Sequence, residues 1–166
     1  SNAYDYAVSK DIEKIIYCDK MLYSMKLVKE SRDAMCRSGS QMIKCVKSFL
    51  NDDLLNLYYD AIHESNSPAT HPVVTGVCSS ILGVKKDSAV TMMLYGFSVS
   101  IVGAALRLGI IDHIQSQQIL HRLKPHITKY VKQYISTSIE NMWQFAPEYD
   151  IIQMKHEQKF SKMFIT

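Results

Sequence analysis

Apolar residues recur every three or four positions along most of the chain, and this periodicity limits the possible folds more than any other feature of the sequence. Such spacing places apolar side chains on one face of an α-helix. We find no segment of useful length in which apolar and polar residues alternate, as they do in a half-buried strand. Gly and Pro, which are frequent in the turns of β-sandwiches, number only six and four. The sequence therefore predicts an all-α fold.

The 166 residues are enough for one domain with a buried core. We predict a single-domain helical bundle of about seven helices. Asp52 and Asp53 are candidate N-caps, and Gly83 is a candidate helix end. The clearest loop is Ser65–Thr70, and Ala146–Glu148 should break the helical pattern. The predicted helices cover about 4–23, 29–50, 53–62, 72–82, 88–108 and 115–143, and a last one starts near residue 150.

The run from Ala89 to Ile111 is apolar enough that a membrane span has to be considered. Polar residues interrupt it, and the segments around it have the amphipathic pattern of soluble helices, so we predict a central buried helix. Small residues at helical spacing form one face of this helix: Gly96, Ser100, Gly103 and Ala104. Small side chains allow a second helix to approach closely. That second helix could belong to the same domain or to a second subunit.

Charge and cysteine content narrow the function classes further. Nineteen Lys and Arg residues against sixteen Asp and Glu residues give a net charge of +3, which is too weak and too evenly spread to favour nucleic acid. The four cysteines form no CxxC pair, so we expect reduced, buried thiols in a cytosolic protein. Residues 1–3 are typical of the remnant of a cleaved expression tag. The natural domain is therefore expected to span residues 4–166, with upstream residues missing and no signal peptide.

No familiar catalytic or nucleotide-binding motif occurs in the chain, neither a glycine-rich phosphate loop nor a GxSxG elbow nor HExxH. The six histidines are His63, His71, His113, His121, His126 and His156. No two of them are three or four residues apart, the spacing that places two imidazoles on one helical turn. We therefore predict no catalytic residue, cofactor or metal site, and favour an interaction protein over an enzyme. A metal-binding helical protein that uses its histidines is the alternative.

Three segments of the chain resemble the urease accessory protein F family, UreF. Residues 29–32, Lys-Glu-Ser-Arg, followed by Gly39, are similar to the family's Glu-x-Arg helix start. The stretch 71–120 resembles the family's central helices and the turn between them, although 110–113 reads Ile-Ile-Asp-His where the family has Pro-Leu-Gly-Gln. The stretch 151–166 is similar to the family's ending, Met-x-His-Glu followed by Arg-Leu-Phe-x-Ser. The resemblance covers essentially all of the predicted domain.

This resemblance implies an all-α, homodimeric, cytoplasmic accessory protein of urease maturation. UreF proteins bind UreD, which is called UreH in some organisms, and recruit the GTPase UreG. The assembly delivers nickel to apo-urease, and UreF itself performs no covalent chemistry. We therefore expect a chaperone for nickel insertion that bridges UreD and UreG. It would need no cofactor and would have no nucleic-acid or membrane partner.

The resemblance also implies three sets of contact residues. The residues expected to contact UreG are Arg107, Asp112, His113 and Gln117. The residues expected at the dimer contact are Tyr95, Gly96, Ser100 and Gly103. The residues expected to contact UreD are His156, Glu157, Lys162 and Phe164. Each set has a purely structural alternative, which is a capped turn for the first, core packing for the second, and a helix packed on its own domain for the third.

Overall fold

The structure, a computed structural model, describes residues 1–157. Within them lie eight α-helices, one short 3-10 helix and no strand, so the all-α prediction is confirmed. The α-helices are α1 (Asn2–Val8), α2 (Ile12–Met25), α3 (Lys29–Lys47), α4 (Asp53–His63), α5 (His71–Ile81), α6 (Lys86–Arg107), α7 (His113–Tyr134) and α8 (Pro147–Glu157). The 3-10 helix, Ile139–Asn141, lies between α7 and α8.

The prediction of a single helix over 4–23 is wrong, because the structure divides this stretch into two helices, α1 and α2. Lys10 has a positive φ of 55°, which a continuous helix does not allow. The carboxylate of Asp11 then caps α2 by accepting a hydrogen bond of 3.1 Å from the backbone N–H of Lys14. Residues 1–3, expected to be a tag remnant, form the start of α1, and Ala3 is buried there.

The helix at the centre of the fold is α5, not α6 as the sequence predicted. It packs against α1, α2, α3, α4 and α6. Its residues are small enough to be surrounded on all sides, and Val74, Val77 and Cys78 are fully buried. A Cβ at Gly76 would lie 3.2 Å from Cβ of Ala3, so this glycine allows α1 to pack closely on α5. The small side chains of α5 therefore decide which helix lies inside.

Several predicted boundaries are confirmed and two are wrong. Asp52 caps α4 by accepting from the backbone N–H of Leu55 at 3.0 Å, and Gly83 ends α5 with a φ of +71°. The predicted helix over 115–143 ends at Tyr134 instead. Pro147 does not break a helix but begins α8. At the first position of a helix a backbone N–H has no acceptor within the helix, so proline, which has no N–H, loses no hydrogen bond there.

A buried carboxylate holds the loop before α5 in place. Asp19 of α2 is fully buried and accepts hydrogen bonds from the hydroxyls of Tyr58 at 2.9 Å and Ser67 at 2.6 Å. It also accepts from the backbone N–H groups of Ala69 and Thr70, each at 2.8 Å, and from the Thr70 hydroxyl. Burial, and secondly the charge of Asp19, raise the pKa of Tyr58 well above its usual range, so the phenol keeps its proton and donates. The sequence did not indicate this network.

The four cysteines are free thiols, but they are not all buried as predicted. Cys18 and Cys78 lie in the core, where burial raises the pKa of the first to about 11 and of the second to about 12. Cys36 is half-buried, and burial raises its pKa to about 11. Cys45 is exposed on α3, where the prediction of a buried thiol is wrong.

Candidate interaction surfaces

The long apolar helix α6 is largely exposed, which corrects the prediction of a buried helix. Only Ala89 and Val102 are buried in it. The exposed large apolar side chains of the helix are Met92, Tyr95, Phe97, Val99 and Ile101. Of the helices described here, α6 packs mainly on α5 and α7, so one side of it lacks a covering element. An apolar face of this size on a folded chain is typical of an interaction site.

The predicted dimer residues lie on this exposed side of α6. Tyr95, Gly96 and Ser100 are exposed, and Gly103 is half-buried. Apart from the backbone of its own helix, no described residue would place a heavy atom within 4 Å of a Cβ at Gly96. Glycine inside a helix costs about 1 kcal/mol relative to alanine. Because nothing within the described chain packs closely on Gly96, its cost is not offset by packing inside the domain, and the core-packing alternative for this position is not supported.

By length and composition, α6 is the one helix of the described residues that could cross a membrane, and 11% of its most apolar window is buried. One such helix is weak evidence for a membrane span, because exposed interaction helices have the same composition. The small residues at the middle of the exposed face would allow another helix to approach α6 closely.

The predicted UreG residues cluster at the turn between α6 and α7. Gly109 has a φ of +69°, which lets the chain reverse direction there. Asp112 caps α7 by accepting from the backbone N–H of Gln115 at 2.7 Å, and the Gln115 side chain accepts from the N–H of Asp112 at 2.9 Å. This reciprocal pair is a capping box. Asp112 therefore caps the turn, as the structural alternative predicts. Arg107, His113 and Gln117 remain the better candidates for contact with UreG.

These candidates are exposed on both sides of the turn. Arg107 is exposed at the end of α6, and its guanidinium folds back toward Gly103. His113 and Gln117 are exposed one turn apart on α7. They border a shallow surface depression with a volume of about 580 Å³, whose other described lining residues are Ile114, Gln118, His121 and Arg122. The turn thus presents a charged side chain at the end of α6 and a concave, mostly apolar surface at the start of α7.

The predicted UreD residues lie at the C-terminal end, where α8 packs on the start of α3. Nδ1 of His156 is 3.3 Å from Oε2 of Glu30, and the Ser31 hydroxyl donates to Oε1 of Gln153 at 2.8 Å. Glu157 is the last residue of α8. Lys162 and Phe164 lie outside the described residues. The part of α8 that is described therefore contacts its own domain, as the structural alternative predicts.

A second exposed apolar surface precedes and includes α8, and the sequence analysis missed it. Trp143 is 80% exposed and Phe145 is 79% exposed. Tyr149, Ile151, Ile152 and Met154 of α8 are exposed as well. Large aromatic residues are enriched at the energetic centres of protein interfaces. The signal available in the sequence was the cluster of aromatic residues around the single tryptophan, at the end of the predicted helix over 115–143 and just after it.

The histidines do not converge on a metal site in the part of the chain that is described. No group of three His, Cys, Asp or Glu side chains there could hold a metal ion. His71 is at the start of α5, where burial lowers its pKa below the usual value. His63 contacts the hydroxyl of Tyr59 at 2.8 Å, and His156 contacts Glu30. No observation on residues 1–157 thus favours the metal-binding alternative.

The described part of the chain is an all-α fold with exposed apolar faces of the kind found at protein–protein contacts. A family model described as UreF matches residues 1–124. The urease accessory protein UreF of Trichodesmium erythraeum is 35% identical over 98% of this chain and 70% of its own length. Urease accessory protein UreF 1 of Brucella melitensis is 30% identical over 89% of this chain and 61% of its own length. The UreF protein of Photorhabdus laumondii is 27% identical over 99% of this chain and 68% of its own length.

These matches identify the class as an accessory protein of urease. The chain belongs to the UreF family. It spans between about three fifths and 70% of the length of these relatives. The family membership confirms the resemblance found in the sequence, and it agrees with a role in urease maturation alongside other accessory proteins.

Proposed function

We propose that the protein is a cytoplasmic scaffold for nickel insertion into urease. It bridges UreD (or UreH) and the GTPase UreG, and the assembly delivers nickel to apo-urease. The observation that carries the proposal is the presence of three exposed contact surfaces on different elements: the face of α6, the turn between α6 and α7, and the segment 143–154. A scaffold needs several such surfaces and no catalytic cleft. Family membership supplies the biological context.

The face of α6 is assigned to a second copy of the chain. The small residues Gly96, Ser100 and Gly103 allow two helix backbones to approach, and Tyr95 and Val99 beside them supply apolar area to bury. A two-fold dimer would place the same face of α6 from each copy against the other. This pairing would also remove the apolar side of α6 from water.

The turn between α6 and α7 is assigned to UreG. Its support is the exposure of Arg107 and the concave surface bordered by His113 and Gln117. Asp112 contributes indirectly, because its capping box fixes where α7 begins and hence where His113 lies.

The segment 143–154 is assigned to UreD. Trp143 and Phe145 are exposed by four fifths of their surface, and partner binding would bury them. His156 and Gln153 hold α8 on α3, so these residues orient the surface instead of forming its centre. This shifts the expected contact from the predicted set toward the aromatic side chains just before α8.

Size-exclusion chromatography with light scattering tests the assembly. The chain would be analysed alone and mixed with UreD and UreG from the same organism. We expect a dimer alone, co-elution with UreD, and co-elution of all three proteins in the mixture. Failure to bind either partner, both with this chain and with the full-length gene product, would contradict the proposal.

Replacing Gly96 with leucine should prevent dimerisation without weakening the fold. A leucine there would project from the middle of the α6 face into the approaching helix. Among residues 1–157, a Cβ at this position meets no other heavy atom within 4 Å beyond the backbone of its own helix. The variant should unfold at the same temperature as the wild type or slightly above it, because leucine favours the helix by up to about 1 kcal/mol over glycine. Light scattering should give the monomer mass. Asp60→Leu, at an exposed position of α4, is the control, and an unchanged dimer mass for Gly96→Leu would overturn the assignment.

Replacing Arg107 with alanine should weaken recruitment of UreG. The loss of a central arginine contact is expected to reduce the affinity at least about tenfold. Because Arg107 is exposed, the free energy of unfolding should change by less than about 1 kcal/mol. Affinity for UreG would be measured in the presence of UreD, with Arg37→Ala on the exposed side of α3 as the matched control. Normal recruitment by Arg107→Ala would exclude this role.

A further inference from the structure

The charge of α7 is one-sided in a way that the net charge of the chain conceals. The helix has 22 residues and contains no Asp or Glu. Its four cationic residues are Arg122, Lys124, Lys129 and Lys132, and all of them are exposed. The three histidines of the helix are exposed too. The prediction that positive charge is evenly spread is therefore wrong for this part of the chain.

Within the described part of the chain, these cations also lack ionic partners. None of the four forms an ion pair within residues 1–157. Elsewhere in the chain lysines are paired, as in Lys29–Asp33 and Lys86–Asp5, each at 2.6 Å. Like charges one turn apart destabilise a helix by a few tenths of a kcal/mol. The helix α7 bears this cost without the compensation that acidic neighbours provide on α3.

Helical spacing places three of the basic side chains on one side of α7. Arg122, His126 and Lys129 follow one another at intervals of four and three residues, opposite the buried Leu120 and Ile127. Lys132 extends the line by another three residues. The line from Arg122 to Lys132, which we call the basic stripe, is about 15 Å long at 1.5 Å per residue.

The basic stripe is continuous with a concave surface. Arg122 belongs both to the stripe and to the depression of about 580 Å³ at the start of α7. Ile114, which also borders the depression, is 71% exposed. A basic line that ends in a partly apolar depression has the composition of a protein interface, in which arginine and apolar contacts occur together.

We propose that the basic stripe of α7 binds an acidic surface of a protein partner. A helix that lies on a membrane needs a broad apolar face turned toward the lipid. The apolar face of α7, which contains Leu120, Ile127 and Val131, is buried inside the fold instead. Nucleic-acid binding usually involves a more basic domain than one with an isoelectric point of about 8.6. Complementary charge would speed association and fix the orientation of the partner. The stripe shares Arg122 with the depression assigned above to UreG, and its other residues lie beyond that assignment.

Binding of a fluorescently labelled polyglutamate peptide, measured by anisotropy, tests this proposal. The variant Arg122→Glu/Lys129→Glu reverses the stripe, and Lys20→Glu/Lys44→Glu makes the same change in net charge at exposed positions of α2 and α3. Glutamate is a good helix former, so both variants should fold, which circular dichroism would check. We expect the first variant to bind at least about tenfold more weakly and the second within about twofold of the wild type, with binding that weakens as salt is added.

Three outcomes would overturn the proposal. An equal loss in both variants would show a response to overall charge. If the wild type does not bind polyglutamate, the stripe does not bind an acidic partner. Tighter binding to phosphatidylserine vesicles or to duplex DNA than to polyglutamate, lost only in the stripe variant, would assign the stripe to another class of partner. Since the probe is neither UreD nor UreG, each of these results leaves the proposed function standing.

Discussion

Replacing Asp19 with alanine is expected to lower the free energy of unfolding by at least about 4 kcal/mol, the largest effect of any single substitution considered for this protein. The carboxylate is fully buried. It accepts hydrogen bonds from the hydroxyls of Tyr58, Ser67 and Thr70 and from two backbone N–H groups. Without it, these donors stay buried and unsatisfied. Each unsatisfied donor costs about 1–3 kcal/mol, against a total stability of about 5–15 kcal/mol.

The effect should be graded by how many donors lose their acceptor. Asp19→Asn keeps one acceptor oxygen but turns an amide N–H₂ toward groups that also donate, so it should be destabilising as well. Ser67→Ala removes a single donor and leaves the rest of the network intact, so about 1 kcal/mol is expected. This milder variant keeps the argument testable if Asp19→Ala does not fold.

Urea unfolding followed by circular dichroism gives these free energies. The control is Asp60→Ala, which removes an exposed carboxylate from α4 and should change stability by less than about 0.5 kcal/mol. A loss of similar size at Asp19 and Asp60 would contradict the network. So would a Ser67→Ala variant that is less stable than Asp19→Ala.

The sequence predicts the local features of this fold better than the arrangement of its helices. The cap at Asp52 and the loop Ser65–Thr70 are confirmed, because both depend on residues adjacent in the chain. The central position was assigned to α6 because it is the most apolar helix, whereas the structure places α5 there. Apolar content measures the tendency to leave water, and a partner subunit satisfies that tendency as well as a core does. Side-chain size, which favours α5, was the better guide to the centre.

For the candidate surfaces too, the sequence predicted some features and missed others. The structure contains the predicted turn after Arg107, and the small residues lie on one helix as predicted, since spacing along one helix is visible in the sequence. The exposed Trp143 and Phe145 were missed, because an aromatic residue outside a helix gives no periodic signal about its burial. The absence of acidic residues from α7 was visible in the sequence but was hidden by averaging the charge over the whole chain. The pairing of Asp19 with Thr70 joins residues far apart in sequence and could not be predicted from either alone.

The loop that Asp19 holds is also fixed from its other side, and this sets the second large prediction. Gly39 of α3 is buried against the loop, and a Cβ there would lie 2.0 Å from the carbonyl oxygen of Ala69 and 2.9 Å from the backbone nitrogen of His71. Both atoms belong to the backbone, so no flexible side chain can move aside. Ala69 itself has a positive φ of 60°, which indicates that the loop is already under constraint.

Replacing Gly39 with alanine should therefore cost at least about 3 kcal/mol, the upper part of the range for overpacking a buried site. To make room for the added Cβ, the loop would have to move away from α3 and distort its hydrogen bonds to Asp19. The matched control is Gly96→Ala, where a Cβ meets nothing within 4 Å and the helix should gain up to about 1 kcal/mol. The same substitution is thus expected to act in opposite directions at two helical glycines.

Urea unfolding of the two alanine variants measures that difference, and a double-mutant cycle identifies its cause. If Gly39→Ala acts by displacing the loop, then Ser67→Ala should cost less in the Gly39→Ala background than in the wild type, because the bond it removes is already distorted. Additive effects would mean that the added methyl group is accommodated without moving the loop. A Gly39→Ala protein as stable as the wild type would exclude the steric argument altogether, whereas failure to fold would be its extreme form. If both predictions hold, one glycine and one carboxylate act on the same loop, and together they link α2, α3 and the start of α5.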